Sequence, residues 1–125
     1  MGKVRTILAA LALSALMAGA AHASCTSLNN VSTSTTWTNF SSMTLKAYMG
    51  MRNRTASTVN AQLRAEGGAT LCDLAPDSSC EFQTSAGFDN ANDFERKRSS
   101  GGSATVDFYT CDTLAQSQDE GGGDN

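Results

Sequence analysis

Between Met43 and Met51 the chain reads MTLKAYMGM, and its apolar and polar positions alternate. Met43, Leu45, Ala47, Met49 and Met51 fall on one side, with Thr44, Lys46, Tyr48 and Gly50 on the other. A period of two is the pattern of a half-buried strand, and Gly50 would weaken a helix at this point. The alternation returns in CEFQTSAGF (80–88), where Cys80, Phe82, Thr84, Ala86 and Phe88 oppose Glu81, Gln83, Ser85 and Gly87. It is strongest in SATVDFYTC (103–111), with Val106 and Phe108 on one side and Asp107 and Tyr109 on the other. STSTTWTNF (32–40) is polar and β-branched around Trp37, which predicts an exposed strand or an extended lead-in.

Two segments read differently. TVNAQLRAEGG (58–68) alternates at Val59, Ala61, Leu63 and Ala65, but Val59 and Leu63 also stand four apart. Ala, Gln, Leu, Arg and Glu favour helix, and Gly67 suits a helix C-terminal cap, so the reading leans to a short helix near 58–66. DNANDFERKRSSGG (89–102) is mostly polar and reads as a loop. The expected fold class is therefore a β-rich small α+β domain, an antiparallel sheet with at most one short helix.

The first residues carry their own pattern. Lys3 and Arg5 precede an Ala/Leu-rich run from Ile7 to Ala21, and Ala21-His22-Ala23 is a small-x-small cleavage signature. This predicts a signal peptide over 1–23, a single domain over 24–114 and an acidic, Gly-rich disordered tail over 115–125. The apolar run is shorter than the roughly 20 residues of a bilayer span, so no membrane anchor is expected after cleavage. His22 stands where a lipoprotein signal wants Leu, which argues that Cys25 is a disulfide partner rather than a lipid anchor. The expected location is secreted or periplasmic.

Cleavage changes the inventory. From Ser24 onward, 7 basic residues face 12 acidic ones, a net charge of −5, and the one histidine is gone. Leu, Ile, Val and Phe make up only 14 of these 102 residues. A chain with so little apolar surface leans on disulfides when it is secreted. Cys25, Cys72, Cys80 and Cys111 allow three pairings. Cys72–Cys80 with Cys25–Cys111 is preferred, and Cys25–Cys72 with Cys80–Cys111 is the nearest alternative.

The chemistry is bounded mainly by what is missing. With no imidazole after residue 23, Ser-His-Asp and Cys-His nucleophile arrangements are out of reach, and Met43 and Phe94 stand where Ser-x-x-Lys would need serine. No catalytic residue is assigned. Asp89-Asn90-Ala91-Asn92-Asp93 resembles a calcium loop only superficially, since Ala91 and Phe94 occupy positions that need a ligand and a glycine. Met43, Met49 and Met51 share a face that reads as packing rather than copper ligation. The cysteines lack metal spacing. No metal or cofactor is expected, and the acidic balance argues against nucleic acid.

Candidate partner contacts are the aromatic residues Trp37, Tyr48 and Tyr109 and the basic cluster Arg96-Lys97-Arg98. Asn30, Asn39 and Asn53 begin N-x-[ST] sequons, meaningful only in a eukaryotic secretory pathway. The expectation is a non-catalytic protein of the cell envelope that binds a protein partner, in an inhibitory, immunity-type or accessory role. The alternative is a subunit that self-associates into a surface layer, appendage or matrix through exposed strand edges.

Overall fold

Alternation along the chain becomes strand pairing in the structure, a computed structural model that describes residues 25–114. The strands are β1 (Cys25–Ser32), β2 (Thr38–Asn39), β3 (Tyr48–Asn53), β4 (Ala61–Ala65), β5 (Thr70–Leu74), β6 (Ser78–Gln83), β7 (Phe94–Arg98) and β8 (Thr105–Cys111). One short 3-10 turn, Ala91–Asp93, precedes β7. All pairings are antiparallel. The first sheet runs β1-β8-β3-β6 and the second β2-β7-β4-β5.

The two orders run in step, so consecutive strands face each other across one core. Phe94 on β7 meets Phe108 on β8 with ring centroids 6.2 Å apart, and Phe40 approaches Phe108 to 4.5 Å. Met49 and Met51 from β3, Leu63 from β4 and Val106 from β8 complete the fully buried interior. Each such side chain contributes about 1.5–3 kcal/mol of burial, and the core also draws on partly buried Met43, Leu45 and Phe82. The methionine face is packing material, as its alternation implies.

The helix expected over 58–66 is not formed. Ala61–Ala65 is a central strand, paired with β5 on one side and β7 on the other. Ala61 and Leu63 point inward and are fully buried. Strands on both sides pair with this segment, and that tertiary gain outweighs helix propensity of a few tenths of a kcal/mol per residue. The loop expected over 89–102 is also overturned, because it contains β7.

Both preferred disulfides are present. Cys25–Cys111 joins directly opposed residues of β1 and β8, and Cys72–Cys80 links β5 of the second sheet to β6 of the first. Between β5 and β6, the Ser78 N–H donates to the Ala75 carbonyl across Pro76 and Asp77. Proline at the second position and Asp77 at φ 66° make this a type II turn. Two disulfides fit an oxidising compartment. Among the described residues no helix is long and apolar enough to cross a membrane. The expected signal peptide, 1–23, and tail, 115–125, lie outside the described residues.

Candidate functional site

The basic cluster is split by the alternation of β7. Arg96 opposes buried Leu63 and Arg98 opposes buried Ala61, so both start on the inner side of the second sheet, whereas Lys97 opposes Gln62 on the outer side. Arg96 lies at the open margin of the sandwich, 5.2 Å from the Phe40 ring centroid, and donates to the carbonyls of Ser32, Thr38 and Asn39. Arg98 donates to the carbonyls of Gly102 and Thr33. Together they pin the segment that crosses from β1 to β2. Burial pushes the Arg96 guanidinium below its ordinary pKa. Through these bonds the two arginines clamp the backbone around β2.

Lys97 is different. Its ammonium sits 5.0 Å from the centroid of Trp37, and the Arg64 guanidinium sits 4.2 Å from the same ring. Trp37 reaches this face because Phe40, three residues on, is turned inward and 2% exposed, and because the Phe40 N–H donates to the Phe94 carbonyl. Arg64 donates through Nε to Glu95 Oε1 at 2.7 Å, one strand away and directly opposite. Covered by that pairing, Glu95 is only 7% exposed although it sits on the outer side. Each cation–π contact is worth about 0.5–1 kcal/mol at such a site, enough to hold both cations over the ring. On β5, Cys72 and Leu74 turn inward, leaving Leu71 and Asp73 outward, and Leu71 is 48% exposed.

The outer face of the second sheet thus carries an indole, two cations and an exposed leucine. Trp37 and Lys97 were legible as candidates from sequence. Arg64 and Leu71 were not. Reading 58–66 as a strand places Arg64 on the side opposite Ala61 and Leu63, though not beside Trp37.

Tyr48 and Tyr109 lie on the other side of the molecule, on the outer face of the first sheet. Tyr109 stands over Gly50 and donates its hydroxyl to the Cys80 carbonyl at 3.1 Å. Tyr48 opposes Cys111 and Gln83. The aromatic candidates therefore do not form one surface. Farther along this face is a hollow of about 410 Å³ lined by Arg52, Arg54, Thr55, Ala56 and Asp107. Its charges neutralise each other: Arg54 bridges both carboxylate oxygens of Asp107 at 2.8 and 2.9 Å, and Arg52 pairs with Asp77. Of the sequon residues, Asn53 is fully buried, while Asn30 and Asn39 are exposed.

Among the described residues no group of three or more His, Cys, Asp or Glu side chains is placed to hold a metal ion. Compared with protein-family models, with curated proteins and with solved structures, the chain matches none.

Proposed function

We propose that this chain is a small non-catalytic protein of the cell envelope, secreted or periplasmic, that acts by binding a protein partner. One observation carries the reading: Trp37, Arg64 and Lys97 are stacked on the outer face of the second sheet, with Leu71 exposed on the same face. Trp and Arg are the residues that most often dominate binding energy at interfaces, and here they are already held in place before a partner arrives. A non-catalytic role is supported by residue chemistry. No histidine occurs from residue 23 onward, and among the described residues every cysteine is in a disulfide, so neither imidazole nor thiol supplies a nucleophile system.

The experiment is capture from the protein's own compartment by unreduced chain, followed by native mass spectrometry. The reading expects a monomer that recovers one discrete partner, with recovery reduced by Trp37→Ala. Recovery of no partner, or equal recovery by the variant, contradicts it.

A second reading, self-assembly through strand edges, is favoured by β1. This edge strand, CTSLNNVS, has no charged residue to discourage pairing. Its opposing feature is the irregularity between Leu28 and Val31, where Asn30 adopts φ 57°. Sedimentation velocity separates the two, since polymer growth with concentration belongs to the second reading alone.

A further inference from the structure

We infer that the Trp37–Arg64–Lys97 stack reads an acidic peptide segment, a run of Asp or Glu side chains on the partner. This rests on the protein-binding reading above and names the chemistry that its contact face accepts.

The inference starts from how the described cations are used. Lys46, Arg52, Arg54 and Arg64 each pair with a carboxylate. Arg96 and Arg98 are spent on backbone carbonyls. Lys97 has no carboxylate within ion-pair distance among the described residues, and its ammonium lies over the ring of Trp37. An indole face orients an ammonium without neutralising it, so a full positive charge stays presented. Beside it, Arg64 engages Glu95 through Nε, leaving its terminal nitrogens over the same ring.

The occupied ring also sets the ligand class. A sugar stacks on an open aromatic face, and here the ring already has two cations against it, at 4.2 and 5.0 Å from its centroid. What this face offers is two cationic donors for carboxylates, with Leu71 exposed on β5, the strand next to Arg64, for an apolar neighbour. The rest of the chain is net acidic, so an acidic segment is steered to this face and repelled elsewhere.

Trp37 is the one tryptophan in the chain, so its emission reports on the site directly. The test titrates the unreduced chain with a short oligoglutamate peptide and, in parallel, with hyaluronate. The inference expects a saturable change in Trp37 emission with oligoglutamate that weakens steeply with added salt. Lys97→Gln should weaken binding about fivefold, the effect of an exposed ion pair of about 1 kcal/mol. Lys97→Arg should restore it, and Arg52→Gln on the other sheet should leave it unchanged. No saturable response to oligoglutamate, an unchanged affinity in Lys97→Gln, or a response to hyaluronate alone would each overturn the inference. Captured partner provides the separation from the broader reading. If wild type and Lys97→Gln recover it equally, the acidic-segment inference fails while protein binding stands. Where neither recovers one but oligoglutamate binding depends on Lys97, protein binding fails and the site chemistry stands.

Discussion

Cys72 and Cys80, eight residues apart, tie the edge strand of one sheet to the edge strand of the other, with Cα atoms 6.4 Å apart. The second bridge, Cys25–Cys111, lies within the first sheet and closes a loop of 86 residues. In the chain-entropy view the longer loop restricts the unfolded chain more, so its bridge is worth about 4–5 kcal/mol against about 2–3 kcal/mol for the short one. Reduction should lower the melting temperature substantially. Paired Cys→Ala variants, followed by urea unfolding, should show the larger loss for Cys25/Cys111. Equal or reversed losses would mean that strain or residual unfolded-state structure governs these bridges.

Gly50 is required by its neighbours rather than by its backbone angles. A Cβ there would meet the Cys80 carbonyl oxygen and the Tyr109 hydroxyl, the latter at 2.6 Å. Gly50→Ala should therefore displace Tyr109 from the Cys80 carbonyl and cost about 1–3 kcal/mol, in the range of overpacked or unpaired buried sites. Tyr109→Phe, which removes one hydrogen bond and keeps the ring, should cost about 1 kcal/mol. Chemical denaturation of both variants measures the difference.

Asn53 stitches the core by its amide. Fully buried, it donates through Nδ2 to the Val59 carbonyl at 3.0 Å and the Leu74 carbonyl at 2.9 Å. Asn53→Ala removes both bonds and opens a void, partly offset because the buried Asn53 Oδ1, which has no hydrogen-bond partner, is removed too, so about 1–3 kcal/mol should be lost. Asn39→Ala removes one exposed bond, from Nδ2 to the Asn92 carbonyl, and should cost less than about 1 kcal/mol. Urea midpoints compare the two.

The difference between the legible and the illegible parts of this sequence follows from charge. Strands β3, β6 and β8 were visible because one side is apolar: Met49 and Met51, Cys80 and Phe82, Val106 and Phe108. The preferred disulfide pairing was also correct. By contrast, β7 reads Phe-Glu-Arg-Lys-Arg, a pattern that predicts a loop because charged residues normally signal solvent. Inside the fold three of its four charges find polar partners: Glu95 has Arg64, while Arg96 and Arg98 reach backbone carbonyls at the sheet margin. Those partners lie 31 to 65 positions away along the chain or across a turn, which no local pattern encodes. For the same reason Arg64 stayed hidden: in a segment rich in helix formers, its place beside Trp37 depends on pairing with β7.

Lysine supplies the most direct measurement of the central claim, that the outer face of the second sheet is the contact surface. From Ser24 onward the chain has two lysines, Lys97 on that face and Lys46, which is ion-paired with Asp112. Acetylation footprinting of free and partner-bound chain reads both at once. The account predicts that Lys97 is labelled several-fold more slowly in the complex while Lys46 is unchanged. Undiminished labelling of Lys97 in the complex would contradict it and move the contact away from Trp37.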